Sequence, residues 1–507
     1  MNKKYLIAII AIIIIICACA FVLANNTTTS STNIDASALE DRGNLVVDSE
    51  SVDENNGLYH TDSSDVNTVI VKNGGILKLA NSLINKTGDT ASSGDDADFY
   101  GINSAVLVNS NATLDISDVE ITTNSKGSNG IFVTNAESSS SSNQTAQSGD
   151  GGQPPEMNNK SNGKQAETPQ SGDGAQPPEM SDSNNGEQPS GSGDDSQSEN
   201  SADGTTQATI KNVKITTYSD KSRGLDATYN GIINAENVVI NTNGQSCAAL
   251  ATDRGEGQVY VKNSEINTGV SKESGRGSPL IYSTGNITVE NTQGTSYVSQ
   301  IACIEGKNSI ELTNCDLTGY GEGNRQDGDE YVDLGGVFIY QSMSGDADVG
   351  TSTFTAKNSK LSISQDSSVY ETSPMFHVTN TACVINLEDT SLSFGSNIFL
   401  EASGQNQWGS EGSNGGECEL NTNNEDIEGN IFIDSISSLN WNMKNTNFKG
   451  VINSTGNTTI NVDSGSTWTL TGDSAVSSLE VSGNIEYGDY SITVNGQTYN
   501  SSNPYKA

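Results

Sequence analysis

"VYVKNSEI" at Val259–Ile266 decides how this chain folds, because the chain keeps rewriting it. "TIKNVKI" (Thr209–Ile215) and "INAENVVI" (Ile233–Ile240) come before it, and "LDISDVEI" (Leu114–Ile121) earlier still. After it come "ITVENTQG" (Ile287–Gly294), "IELTNCDL" (Ile310–Leu317), "FTAKNSKL" (Phe354–Leu361), "INLEDTSL" (Ile385–Leu392) and "WNMKNTNF" (Trp441–Phe448). Each copy alternates apolar and polar residues, bends at Asn or Asp, and alternates again. Period-2 alternation rich in β-branched residues marks a strand with one buried face. Asn and Asp suit the bend because they tolerate left-handed backbone and bond to their own backbone there.

The bending residues are Asp118, Asn212, Asn237, Asn263, Asn291, Asn314, Asn358, Asp389 and Asn445. From Asn212 to Asn314 they recur at steps of 25, 26, 28 and 23 residues. The 44-residue step to Asn358 carries a long loop, and the 56-residue step from Asp389 to Asn445 holds one further turn near "CELNTN" (Cys418–Asn423). A third short strand follows each phrase, as in "GLDAT" (224–228), "GVFIYQ" (336–341) and "NIFLE" (397–401). Three strands in a period of roughly 20–30 residues, with no hairpin or helical pattern competing, predict an all-β solenoid. The expected form is a right-handed parallel β-helix of about twelve coils, a rod of roughly 60 Å at the usual strand spacing. Its Asn side chains should form a ladder, with Asn263 and Asn314 buried or half-buried and bonded coil to coil. The coils should run through 44–136, 206–474 and a C-terminal coil and cap at 475–507.

Of 507 residues, 63 are acidic and 24 basic, a net charge of −39. Such a charge excludes nucleic acid and anionic membrane as partners. Residues 2–24, "NKKYLIAIIAIIIIICACAFVLA", pair two lysines with an apolar run ending in a signal-type cleavage motif before Asn25. The run also fits a retained membrane anchor, or a lipid-bearing Cys19. All three readings mean export, and 25–43 would be a polar linker. The five remaining cysteines are odd in number and far apart, which indicates buried thiols rather than disulfides or zinc.

The stretch 137–205 contains no Val, Ile, Leu, Phe, Tyr or Trp, and "SGDGGQPPEM" (148–157) recurs as "SGDGAQPPEM" (171–180). It cannot bury a core, so a disordered acidic insert within one coil is expected.

The repeated phrase, together with "SRGLDATYNG" (222–231), "ALATDRGEG" (249–257), "YQSMSGDADVG" (340–350) and "STWTLTGDSAVSSL" (466–479), resembles the adhesin-like, pectate-lyase-type parallel β-helix proteins of microbial cell surfaces. A related group comprises calcium-loaded carbohydrate-binding β-helices. The resemblance implies a monomeric exported protein, extracellular or held at the cell surface, that binds a polysaccharide or a host glycan. The polygalacturonase-type Gly-His-Gly does not occur, since His60 and His377 are the only histidines and neither lies between glycines.

Three sets of residues could carry chemistry. Asp327, Asp329, Glu330 and Asp333 in "GYGEGNRQDGDEYVDLG" (319–335), with Asp346 and Asp348 one coil later, could wrap a hard cation, and calcium is the natural occupant outside cells. On the third strands, alternation would turn Phe338, His377, Phe399 and Phe432 outward, with Tyr340 and Glu401 beside them, as a stripe able to grip sugar rings. Arg254 or Lys307 would serve as base if the protein were a calcium-dependent lyase of uronate polymers. The competing reading of the stripe is a small second core under the long loops. A surface stalk without ligand is the third reading of the whole chain.

Overall fold

The computed structural model describes residues 34, 36–92, 94–136, 204–269, 277–322, 325–327, 330–332, 334–342 and 344–506, with the backbone alone at Ala38, 325–327 and 330–332. The N-terminal leader and residues 137–203 of the insert lie outside them.

The phrase Ile232–Ile240 shows how the chain winds. Ile232–Glu236 is a strand of a first sheet, Asn237 bends, and Val239–Thr242 joins a second sheet. A loop leads to Leu250–Thr252 in a third sheet, and Gln258–Lys262 then pairs in parallel with Ile232–Glu236. One turn is complete. Repeated along the chain, this rotation builds sheets of 14, 11 and 16 strands, parallel except for the last strand of the third, and a four-stranded sheet beginning at Asp426–Glu428 takes up the second-strand positions in the last turns. The described residues are therefore an all-β solenoid. The first and third sheets hold more strands than about twelve coils would supply. "ILKLANSLI" (Ile76–Ile84) is one more copy of the phrase, and "SVDENNGLY" (Ser51–Tyr59) performs the same bend with fewer apolar residues.

All nine bending residues have φ between 47° and 56°, so each occupies the left-handed region. Asn314 donates from Nδ2 to Asn291 Oδ1 at 3.0 Å, Asn291 to Asn263 at 3.2 Å, and Asn237 to Asn212 at 3.3 Å. Asn263 is half-buried, as expected, but Asn314 is exposed, because the left-handed bend swings its side chain to solvent. The buried polar contact falls one residue later. The amide of Val238 donates to Ser264 Oγ (3.1 Å), that of Cys315 to Ser359 Oγ (3.0 Å) and that of Thr390 to Glu425 Oε1 (2.8 Å).

Inside, like residues stack in register. Ile121, Ile215, Ile240 and Ile266 form one file and are fully buried. Toward the C-terminus the core turns aromatic, with Phe354, Phe376, Phe399, Trp441, Phe448 and Trp468 each in ring contact with the next. No disulfide joins the five described cysteines, all of which are buried, and Cys383 and Cys418 face each other on paired strands.

Besides the 3-10 helix Ala36–Ala38, three elements among the described residues depart from strand–turn–strand winding. "GDDADFY" (Gly94–Tyr100) is a short α-helix, with Asp95 and Asp96 suited to its N-terminal end and Ala97 and Phe99 buried. Two antiparallel hairpins occur, Arg325–Asp327 with Glu330–Val332, and Ser491–Val494 with Gln497–Asn500. Around the insert, Ile131–Thr134 belongs to the third sheet and Gln207–Lys211 to the first. Thr206 Oγ1 donates to Asn135 Oδ1, so the insert leaves and re-enters at one corner. Among the described residues no helix is long and apolar enough to cross a membrane.

Candidate functional site

Long loops gather over the outer face of the third sheet, and several of the residues singled out in the sequence lie there. Strand register places Phe132, Asp226, Ala251, Tyr282, Cys303, Phe338 and His377 in one outward file. Outward does not mean exposed. Phe132 and His377 are fully buried, and Phe338 is 2% exposed.

At one end of the file, a charged knot pins the helix Gly94–Tyr100. Arg223 Nη1 lies 3.0 Å from Asp98, Nη2 lies 2.6 Å from Asp253, and Nε lies 3.5 Å from Asp226. Lys221 approaches Asp98 at 3.2 Å. Among the described residues neither carboxyl oxygen of Asp226 has a side-chain hydrogen-bond donor. Burial pushes the Asp226 carboxyl up to about 7 despite Arg223, with the charge of Asp98 adding to the rise. Burial raises Asp253 too. Burial also works against the Arg223 charge, but Asp253, Asp98 and Asp226 together hold the guanidinium protonated. Residue spacing does not reveal this knot, because its four main members come from three separate turns.

Next to the knot, two expectations meet and cancel. Arg254 Nη2 pairs with Asp346 Oδ1 at 2.5 Å, and its guanidinium sits 3.8 Å above the Phe99 ring. Lys307 Nζ lies 2.5 Å from Glu256 and 3.0 Å from Asp348. Each candidate base is thus neutralised by a candidate calcium ligand. Burial pulls the Arg254 pKa down, but the hydrogen bond and charge of Asp346 hold it above its usual value. Hydrogen bonds to Glu256 and Asp348 raise Lys307. Among the described residues no group of three or more acidic, His or Cys side chains is arranged to hold a metal. Of the remaining calcium candidates, Asp329 and Asp333 lie outside the described residues. Asp327 and Glu330 are described by backbone only, on the hairpin 325–332.

At the centre of the face lies a carboxylate at the end of the strand Ala302–Glu305. Glu305 is 2% exposed. Its Oε2 accepts from the Tyr282 hydroxyl (2.7 Å) and the Tyr340 hydroxyl (3.0 Å), and its Oε1 accepts from Ser342. Burial, then the charge of Glu305, drives both tyrosines well above their usual pKa. Tyr340 stacks on Phe338 at 4.5 Å between ring centres, and Trp408 closes on both from a loop at 5.2 and 5.4 Å. Leu334 and Cys303 complete this second, smaller core, with Tyr282, Tyr340 and Trp408 at its rim. His377 meets the edge of Phe338 beneath it.

The far end of the stripe needs one correction. Phe399 does not point outward but belongs to the main core, fully buried between Phe376 and Trp441. The register shifts between Ile398 and Leu400, and this irregularity turns Phe399 inward against simple alternation. Beyond it the outward register resumes with Glu401 opposite Phe432, both half-buried.

The chain matches no family model, and no curated protein is significantly similar to it.

Proposed function

We propose that this chain is an exported, surface-displayed adhesin-like protein of the pectate-lyase type, a right-handed parallel β-helix that binds carbohydrate and does not cleave it. The observation that carries this reading is the Glu305 site. There the half-buried rings of Tyr282, Tyr340 and Trp408 surround a carboxylate already organised by tyrosine hydroxyls. A sugar offers what such a site takes, apolar C–H faces for the rings and hydroxyls for the carboxylate and phenols. The ladder of bends serves as the spine that holds this face rigid, coil upon coil. Both candidate lyase bases are held charged by carboxylate partners, which favours binding over proton abstraction. Calcium enters this proposal only through Asp327, Asp329, Glu330 and Asp333 of the 319–335 loop, where it would bridge the protein to an acidic glycan. Asp346 and Asp348 are committed to Arg254 and Lys307. The partner is a polysaccharide or cell-surface glycan, the working state a monomer, and the leader the means of export.

A glycan array probed with the intact chain, with and without calcium, tests this. Trp408→Ala and Tyr340→Phe should each weaken the strongest signals at least tenfold while melting remains cooperative. Absence of any glycan signal from the folded protein would overturn the proposal. Release of unsaturated, ultraviolet-absorbing uronate ends would establish the lyase instead.

A further inference from the structure

The first sheet changes character in its C-terminal half. From Gln207 to Thr313 its strands are five residues long, but Thr351–Lys357, Thr381–Glu388, Gly416–Asn423, Ser438–Lys444 and Asn457–Val462 have 7, 8, 8, 7 and 6. The sheet widens into a platform. Its outward central file, in register, is Thr355, Asn386, Asn421, Asn442 and Asn461. Their side chains are joined head to tail. Asn386 Nδ2 donates to Thr355 Oγ1 (3.1 Å), Asn421 to Asn386 (3.1 Å), Asn442 to Asn421 (2.8 Å) and Asn461 to Asn442 (2.8 Å).

This file differs from the row of bends. It lies on the strands, all its members are half-buried, and Thr355, Asn386, Asn421 and Asn442 line a shallow groove of about 600 Å³. A chain of amides fixes each side chain's rotamer and polarises its neighbours. Asn386 and Asn442 each commit only one of two amide hydrogens to the chain, and every linked Oδ1 keeps a second lone pair. The groove is therefore a rigid row of paired donors and acceptors at strand spacing, roughly 14 Å over the three steps from Thr355 to Asn442. Beside it Lys357 is matched by Glu311 at 3.2 Å, and Asn423 donates to Glu388 at 3.0 Å, so no single sign of charge dominates its rim.

We propose that this groove is a second binding site, for an extended, uncharged polysaccharide. A row that alternately donates and accepts suits vicinal hydroxyls, which do both. Its length suits a polymer rather than a small molecule, and a net charge of −39 works against a polyanion. The proposal rests on the carbohydrate-binding reading but places this contact on a different sheet from the Glu305 site.

Affinity electrophoresis of the full chain through gels containing a soluble β-glucan, a galactomannan or polygalacturonate tests it. One of the two neutral polymers should retard the protein. The Asn421→Ala, Asn442→Ala double variant should weaken that retardation at least tenfold, whereas Trp408→Ala should leave it unchanged. The near-isosteric Asn421→Asp, Asn442→Asp variant should lose it as well, which removes lost packing as the explanation. No retardation by either neutral polymer, or full retardation of both double variants, would overturn the second site. Loss of retardation in Trp408→Ala alone would overturn it too, while leaving the carbohydrate-binding reading of the Glu305 site in place.

Discussion

Arg254 and Asp346, 92 residues apart in sequence, form an ion pair at 2.5 Å on the loop-bearing face, with the guanidinium over the Phe99 ring. A residue placed this way is a structural clasp. It joins the segment after one third-sheet strand to a loop that follows another, and to the helix Gly94–Tyr100. A base in an eliminating lyase must be free to accept a proton, and this guanidinium is not. Replacing Arg254 by Ala should therefore lower the melting temperature, at a cost of about 1 kcal/mol because the pair is partly exposed. Measured against uronate polymers, wild type and variant should show equal ultraviolet absorbance at background level. A product signal in wild type that the variant abolishes would contradict the clasp.

Phe399 and Phe432 separate the core from the stripe. Phe399→Ala removes a fully buried ring that touches Phe376 and Trp441, and should cost about 3–5 kcal/mol in denaturant unfolding. Phe432→Ala removes a half-buried outward ring and should cost about 1 kcal/mol. Equal losses at the two positions would show that the register shift beside Leu400 is not present in solution.

The contrast between those two residues shows what was legible in the sequence. Winding was legible because every turn repeats the same local conflict, an alternating strand stopped by a left-handed Asn, and a repeated local signal accumulates. The site was less so. Phe338 and His377 do face outward as alternation requires, yet Leu334 and Trp408 come over from loops, and loop paths carry no period. Phe399 escaped because one irregular pairing reverses the alternation of a strand. Arg254, Lys307, Asp346 and Asp348 each stand out chemically in the sequence. That they pair with one another depends on contacts between turns, and residue types alone do not reveal such contacts.

Asn314 tests the bend itself. It is exposed, so its replacement creates no buried orphan, and the cost should come from backbone and from the amide pair with Asn291. Asn314→Leu puts a branched side chain at φ 55° and should cost about 1–2 kcal/mol. Asn314→Gly accepts that φ without strain and should cost less than Leu. Thermal melts of the two variants decide it. A Gly variant less stable than Leu would mean that the left-handed conformation is not what Asn supplies there.

Two buried carboxyls make stability depend on pH in an unusual direction. Burial raises Glu425 from 4.5 to about 7, with Asp389, Asp426 and Glu388 adding to the rise and only the Thr390 amide opposing it. Burial raises Asp226 to about 7 in the knot, where Arg223 opposes the rise and Asp98 adds to it. In both cases the folded state holds a proton that the unfolded chain releases near pH 4. Between about pH 4 and 7 the native protein therefore binds more protons than the unfolded one, and stability falls as pH rises. Carboxylates lowered in the fold act oppositely. Asp48 is held down first by its bond from Asn73, and Asp463 by its bond from Ser466, so both lose their contribution only as pH drops below about 4. The melting temperature should thus peak between about pH 4 and 5 and decline toward pH 8. Glu425→Gln keeps an oxygen for the Thr390 amide but cannot ionise. It should gain about 1–3 kcal/mol over wild type at pH 8 and nothing at pH 4, flattening the decline. Melting curves of both proteins at half-unit pH steps measure this directly. A wild-type optimum at pH 7 or above, or a Glu425→Gln curve parallel to wild type, would show that these carboxyls are ionised and solvated in the folded protein.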